Sequence, residues 1–301
     1  MTKIISQRCH EPLLYIEPIY RVTRSYYREK KYRKRCYNYL DQVLKERREL
    51  IPPHNNNLKQ SSSSRYQRDE EMGTTSFEQK NFIDQLIFHD GQQFTDEEIH
   101  DHIYTFVAAG YETTASQTAF TLLLLAMHQE VQEKVFHEIF AAFPLNDEKI
   151  SREKLESLQY LDMVIKESMR LLPPVPLIGR ETLDELELSD LVVPKGVTLL
   201  INFFNLHRRE DVWGADANSF NPDHFLPENE AQRHSHSFLP FSKGARNCIG
   251  ENYAMLAIRI ILIKFLRHYK ITTDLKYEEL NFKADITLKI CEKLVVKIVK
   301  R

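Results

Sequence analysis

This sequence contains little glycine, few cysteines and no long apolar run. Only 8 of its 301 residues are Gly and 4 are Cys, which argues against collagen-like repeats, low-complexity disorder and a disulfide scaffold. The Cys residues lack a C-x-x-C spacing, so we expect a reducing compartment. The longest apolar run, 119–127, is shorter than the roughly 20 residues that cross a bilayer. We therefore expect neither a membrane anchor nor a secretory signal in this chain.

The net charge of -2 conceals an uneven distribution. Residues 1–50 carry 13 Lys or Arg against 6 Asp or Glu. Apolar and Tyr residues recur there at helical spacing, which predicts a basic amphipathic helix over 16–50 that ends at Pro52. Its basic face is either the solvated side of a packed helix or a contact for a membrane surface or nucleic acid. Because the whole chain is not basic, we expect no nucleic-acid partner.

Hydrophobic periodicity predicts a mainly α chain with small β elements, an α+β fold. A polar stretch at 54–76, rich in Asn and Ser, predicts a mobile loop. Thr95 and Glu98 have the spacing of a capping box, in which the two side chains satisfy backbone amides reciprocally. This signal opens a long helix. We expect that helix and the next one to fill 95–143, with a turn near His128 between them.

The second half of the sequence combines helices and short strands. Helical spacing over 158–172 stops at two prolines, and another helix is expected over 249–269. The segment 191–201 predicts two short β runs joined by a turn. Residues 286–290 together with 294–299 predict a final hairpin. The sequence shows no internal repeat and no boundary between two cores, so we predict one domain over 1–301.

The strongest chemical signal lies between Phe241 and Gly250. A single Cys, Cys248, follows a Gly-containing turn at the start of a helix, where free amides and the helix dipole favour a thiolate. Such a thiolate is a nucleophile or a metal ligand. Gly244 and Gly250 admit a large flat group, and Arg246 offers a cation for a carboxylate. Haem meets all three demands.

The segment 241–250 resembles the Phe-x-x-Gly-x-Arg-x-Cys-x-Gly signature of cytochrome P450, the haem-thiolate monooxygenases. The resemblance implies that 241–250 is the haem-thiolate loop and that Cys248 binds the iron of haem b. The residues that it assigns to the haem-binding surface are Phe241, Gly244, Arg246 and Gly250. Arg180 stands where the family commonly places another propionate partner. A surface Arg on a strand edge is the alternative there.

Residues 109–114, Ala-Gly-Tyr-Glu-Thr-Thr, resemble the oxygen-activating segment of the same family. They fall within the predicted long helix, where a Thr hydroxyl can bond the carbonyl four residues back, loosen the helix and admit water. The resemblance implies that Thr113 positions water and that Glu112 helps to pass protons inward. Small residues and Thr pairs in a long helix also serve as packing devices.

Glu167 and Arg170 have the spacing of an ion pair on the 158–172 helix. The apolar residues around them predict burial, although an isolated pair of this kind is usually exposed. The pair resembles the structural Glu-x-x-Arg motif of the family. The usual third member is an Arg, but the matching segment 220–225 has His224 in that place. Since His titrates near neutrality, we expect a weaker and more pH-sensitive clamp.

Several apolar residues resemble the substrate-contact regions of the family. An apolar lining suits a lipophilic substrate, but core packing would produce the same residues. The candidates are Phe106, Ala109, Val175, Leu177 and Ile286.

The matching segments follow the family's order and imply a cytochrome P450 fold with its N-terminal portion missing. A complete microsomal member would begin with a membrane anchor, a Pro-rich hinge and a helix carrying Trp-x-x-x-Arg. The resemblance implies that the protein is located at the cytoplasmic face of the endoplasmic reticulum membrane. It also implies that the full-length relative contacts the membrane surface. Without the N-terminal portion, the haem pocket would lose several hundred Å² of apolar contact. Since each apolar Å² contributes about 25 cal/mol, this loss should weaken or abolish haem binding.

The resemblance implies insertion of one oxygen atom from dioxygen into a fatty acid, a steroid-like compound or a xenobiotic. Electrons would come from NADPH through a cytochrome reductase, so NADPH itself is an indirect cofactor. The alternative is a non-catalytic truncated member that acts as a helical binding protein through residues 21–48. A zinc site of His234, His236 and Cys248 is a weak third hypothesis, because these ligands lack paired spacing.

Overall fold

The computed structural model describes residues 2–50, 82–87, 94–144 and 149–301. The contacts divide the chain into two units, Met1–Ala108 and Ala109–Arg301, and the boundary falls inside one long helix. The single domain over 1–301 stays a prediction. The predicted loop at 54–76 lies outside the described residues.

The described part of the first unit is helical. Its elements are α1 (Thr2–His10), a 3-10 helix (Pro12–Tyr15), α2 (Glu17–Arg21), α3 (Arg24–Leu50), α4 (Phe82–Ile87) and the beginning of α5 (Asp96–Met127).

The single helix predicted over 16–50 is wrong in one respect, because α2 and α3 are separate helices. The break lies at Thr23, whose hydroxyl donates to the carbonyl of Tyr20 at 2.7 Å and accepts from the amide of Tyr26 at 3.3 Å. This local bonding replaces helical hydrogen bonds at the break. Periodicity alone does not register it, because the apolar spacing continues across the break.

An apolar cluster and ion pairs, among them Arg47–Asp84, hold the C-terminal end of α3 in the first unit. The cluster contains Leu40, Leu44, Leu86, Ile99 and Ile103. The guanidinium of Arg47 donates two hydrogen bonds of 2.6 Å to the carboxylate of Asp84. Such bidentate pairing fixes the relative orientation of both side chains.

The second unit, which begins within α5, contains the remaining helices and all strands of the described residues. The helices are α6 (Gln129–Ala142), α7 (Arg152–Glu156), α8 (Gln159–Leu171), α9 (Phe203–Leu206), α10 (Glu210–Trp213), α11 (Pro227–Gln232) and α12 (Glu251–Leu266). The strands are β1 (Leu177–Glu181), β2 (Leu186–Glu187), β3 (Val192–Val193), β4 (Thr198–Asn202), β5 (Tyr269–Thr272), β6 (Phe282–Ala284), β7 (Leu288–Ile290) and β8 (Lys297–Lys300). Short 3-10 helices cover Pro222–Phe225 and Tyr277–Glu279.

The predicted long helices are confirmed. His128 separates α5 from α6, α8 fills the predicted 158–172 segment, and α12 accounts for most of 249–269. The last helix ends earlier than predicted because the chain enters β5 at Tyr269.

The eight strands form four antiparallel pairs, and their partners differ from the predicted ones. The predicted final hairpin of 286–290 with 294–299 is wrong, because β7 pairs with β6 and β8 pairs with β5. The tight turn lies at 285–287, where the amide of Asp285 donates to the carbonyl of Thr287. The two runs in 191–201 are strands, but β3 pairs with β2 and β4 with β1. Short β runs carry too little pattern to specify a partner.

The largest core of the second unit lies between α6, α8 and α12. Its side chains come from helix faces with spacings of three and four residues. Fully buried members include Val135, Ile139, Leu161, Ile165, Leu262 and Leu266. Over the described ranges, no helix has both the length and the apolar character needed to cross a membrane.

The start of α5 carries the predicted capping box. The Glu98 carboxylate accepts from the Thr95 amide at 2.8 Å, and the Thr95 hydroxyl accepts from the Glu98 amide at 3.3 Å. The two bonds satisfy backbone donors that a helix start leaves without partners.

We expect Thr95→Ala to lower the free energy of unfolding by about 1 kcal/mol, because the cap is lost. Thr95→Ser should retain most of the stability. Thr105→Ala is a matched control in the same helix, where the Thr hydroxyl bonds the carbonyl of Asp101 and Ala is the better helix former. Urea unfolding followed by circular dichroism measures the three variants. Equal losses at positions 95 and 105 would contradict the capping role.

Candidate functional site

The loop before α12 holds Cys248 in a defined place. The amide of Cys248 donates to the carbonyl of Phe241 at 2.9 Å, and the amide of Asn247 donates to the carbonyl of Gly244 at 3.1 Å. Ser242 and Gly244 have positive φ angles of 61° and 87°. These conformations turn the chain back on itself. They deliver an exposed thiol three residues ahead of the first residue of α12.

The surroundings of the thiol fit a large flat apolar group. A Cβ on Gly244 would meet no heavy atom within 4 Å, and one on Gly250 would lie 3.8 Å from the sulfur of Cys248. Ile249, which follows Cys248 in the sequence, is 85% exposed. An open face, a soft sulfur ligand and an exposed apolar side chain at a helix start match the binding needs of haem. The residues present therefore fit a haem.

The structure brings one predicted propionate partner to this loop. Arg180 lies on β1, and its guanidinium donates to the hydroxyl of Ser242 at 3.5 Å and to the carbonyl of Gly179 at 2.9 Å. Arg246 lies in the loop itself, two residues before Cys248, and is exposed. Two cations are thus available near the thiol, although their role stays a prediction.

The predicted oxygen-activating segment lies on α5 in the second unit. The hydroxyl of Thr113 donates to the carbonyl of Ala109 at 2.7 Å, which is the predicted bond to the carbonyl four residues back. A Cβ on Gly110 would meet nothing within 4 Å. The carboxylate of Glu112 accepts hydrogen bonds from Thr287 and Lys289. Neither partner of Glu112 was predicted, because both lie more than 170 positions away in the chain.

Glu167 and Arg170 form a fully buried ion pair on α8. Both side chains are 0% exposed, and two N–H groups of Arg170 donate to the two carboxylate oxygens of Glu167 at 2.7 Å. The remaining three N–H groups donate to the carbonyls of His207, Ala217 and Ser219. All five donors of the guanidinium are used. The predicted burial is confirmed.

His224 completes this cluster from the 3-10 helix Pro222–Phe225. Its ring nitrogens lie 3.2 Å from the carboxylate of Glu167 and 3.1 Å from that of Asp216. Burial alone lowers the pKa of His224, but its hydrogen bonds and attraction to Glu167, with a further bond to Asp216, raise the pKa above the ordinary value. The carboxylates therefore stabilise the imidazolium form of His224.

The apolar candidates lie in different places. Val175 is half-buried just before β1, while Leu177 on β1 and Ile286 at the β6–β7 turn are 41% and 38% exposed. Ala109 is exposed on α5. Phe106 belongs to the first unit, where its ring lies 4.2 Å from that of Phe82. Their contact with a substrate stays a prediction.

The zinc hypothesis receives no support. Across the described ranges, no group of three or more His, Cys, Asp or Glu side chains is arranged to hold a metal ion. The rings of His234 and His236 lie 5.2 Å apart, and Cys248 does not join them in such a group.

Protonated His224 should stabilise the fold. A raised pKa means that this contribution is fully present below the unfolded value of about 6.5 and is lost as the pH rises through the folded value. We expect wild type to lose stability relative to His224→Arg between about pH 6 and about pH 9, because Arg stays charged throughout. Urea midpoints at both pH values measure the difference.

The exposed His236 provides the control for this experiment. His236→Arg should follow the wild-type pH dependence, since its ring lies outside the buried cluster. If the urea midpoints of wild type and His224→Arg changed equally with pH, the imidazolium of His224 would have no stabilising role.

Comparison with known proteins identifies relatives over most of the chain. The family model "Cytochrome P450" matches residues 1–294. Probable cytochrome P450 313a4 of Drosophila melanogaster is 42% identical over 210 residues, which cover 69% of this chain and 42% of the relative. Cytochrome P450 4c21 of Blattella germanica is 32% identical over 288 residues, or 95% of this chain and 56% of the relative. The chain thus spans about half the length of these relatives.

A solved structure shows the same fold. The crystal structure of a cytochrome P450 (CYP102L1) superposes with a TM-score of 0.75 at 25% identity, over 92% of this chain and 58% of that one. The predicted α+β class and cytochrome P450 fold are thereby confirmed. By family model, relatives and fold together, the chain belongs to the cytochrome P450 family, whose members are generally haem monooxygenases.

Proposed function

We propose that the chain carries the haem-thiolate site of a monooxygenase, which inserts one oxygen atom from dioxygen into a lipophilic substrate. The observation that supports it most is the exposed sulfur of Cys248 at the start of α12, with open space at Gly244. A buried structural cysteine would instead be enclosed by apolar side chains.

The residues of the second unit have separate tasks in this proposal. Cys248 would bind the iron, while Arg246 and Arg180 would bind the propionates of haem b. When bound through a thiolate, haem supplies the metal at which dioxygen is activated. Thr113 would position water, and Glu112 would carry protons to it. These residues bind, orient and transfer protons, and none of them supplies electrons.

Electrons would come from NADPH through a cytochrome reductase at the cytoplasmic face of the endoplasmic reticulum membrane. The resemblance to microsomal members supports this partner and this location. The exposed apolar side chains of Ala109, Leu177 and Ile286 support a lipophilic substrate, such as a fatty acid, a steroid-like compound or a xenobiotic.

We expect Cys248→Ser to abolish the strongly red-shifted Soret band of the ferrous carbonyl complex, because this band requires a thiolate ligand. The experiment compares the haem-loaded wild type with this variant. Cys291→Ser is the control, since Cys291 is also a free exposed cysteine, and it should keep the band. A band that survives Cys248→Ser would exclude Cys248 as the ligand.

A wild type that takes up no haem would contradict the proposed function. It would favour the alternative, a non-catalytic protein that binds an acidic partner through 21–48. The helix α3 supports that alternative with exposed cations, among them Arg28, Lys31 and Arg35. Its association with such a partner should weaken as salt is raised.

Arg246→Ala should weaken haem binding by about tenfold, because a charge-assisted hydrogen bond to a propionate is lost. Lys243→Ala is the matched control, since Lys243 is an exposed cation in the same loop. A haem titration followed by absorbance gives both dissociation constants. Equal affinities of the two variants would remove Arg246 from the haem-binding surface.

A further inference from the structure

The carboxylate of Glu112 is held by residues that are distant in the sequence. The hydroxyl of Thr287 donates to its Oε1 atom at 2.8 Å, and the ammonium of Lys289 donates to the same oxygen. Thr287 is 4% exposed, and the side chains of Glu112 and Lys289 are 20% and 40% exposed. A partly buried ion pair is less screened by solvent than one at the surface.

The strand that carries Lys289 is itself anchored within the second unit. The amide of Leu288 donates to the carbonyl of Pro174 at 2.9 Å. The side chain of Leu288 is 2% exposed and belongs to an apolar cluster with Phe120 and Leu124 of α5. The residues on either side of Leu288 therefore have a fixed distance to the helix that carries Glu112.

The sheet partner of Lys289 shows why a carboxylate is needed at this place. Lys283 lies directly opposite Lys289 in the β6–β7 pair, and like charges at opposite positions repel. Lys283 pairs with Asp285 at 3.0 Å, whereas Lys289 pairs with Glu112. Each ammonium thus has its own carboxylate, and the Glu112 carboxylate offsets the charge of Lys289.

We propose that Lys289 and Thr287 are positioning residues that fix the carboxylate of Glu112 next to Thr113 for proton transfer. This inference rests on the proposed function. Glu112 takes up a proton from solvent hydronium and passes it to the water positioned by Thr113, so that it ends as the carboxylate with which it began. Its place relative to Thr113 decides how fast this happens, because misplacement of a proton-carrying group by about 1 Å can cost up to about 100-fold in rate.

The first test measures the contact without haem. In urea unfolding, Lys289→Met should lower the unfolding midpoint of wild type but cause little further loss in Glu112→Gln, because the interaction partner is then already lost. Lys297→Met is the control from a different strand pair, because Lys297 pairs with Asp274. Its effect should be the same in wild type and in Glu112→Gln. Additive effects of Lys289→Met and Glu112→Gln would overturn the contact.

The second test measures the turnover of the haem-loaded protein with a reductase and a lipophilic test substrate. Lys289→Met should lower kcat about tenfold with KM and haem content unchanged, and Lys289→Arg should restore most of the rate. Thr287→Val should lower kcat about threefold. Lys289→Met should add nothing to the loss caused by Glu112→Gln, since positioning residues act through the group that they position.

The outcomes separate the two proposals. A wild type without the thiolate Soret band overturns the proposed function, and the positioning role falls with it, whatever the unfolding cycle shows. If wild type and Lys289→Met have the same kcat, the positioning role alone is overturned. A loss of kcat that Lys289→Arg does not restore also overturns it, because Arg supplies the same charge.

Discussion

The second unit depends on a buried charge that is fully compensated. Removing an ion pair from water costs several kcal/mol for each ion, and the attraction offsets this only when every remaining donor finds an acceptor. Arg170 meets that condition with two bonds to Glu167 and three to backbone carbonyls between positions 207 and 219. The pair therefore fixes an irregular stretch of chain that has little regular hydrogen bonding of its own.

The same helix also contacts α5, which carries the predicted oxygen-activating segment. Ser168, between the members of the ion pair, accepts from Gln117 at 2.8 Å and from Thr121 at 2.9 Å, both on α5. The irregular stretch leads into the loop that presents Cys248, and α5 presents Thr113. Rigid support of this kind is what a reactive site needs, because small displacements of its groups are costly in rate.

Sequence reasoning succeeded where function demands particular residue types at fixed spacing. The capping box at Thr95 and the buried pair on α8 are confirmed, while the haem role of the Cys248 loop stays a prediction. It failed for strand partners: the final hairpin was assigned to the wrong strands, because runs of three or four residues fit several registers equally well. The break at Thr23 was also missed, since a side chain bonded to its neighbours leaves the apolar spacing unchanged.

By itself the sequence determined the family and the order of the helices, and it predicted which residues would bind haem iron and propionates. These are local patterns in which neighbouring residues suffice. Only the tertiary structure decided what stands next to each of them. Thr287 and Lys289 reach Glu112 across 175 and 177 positions of chain, and Arg180 reaches Ser242 across 62. Such contacts depend on how elements pack, and no spacing within one segment encodes them.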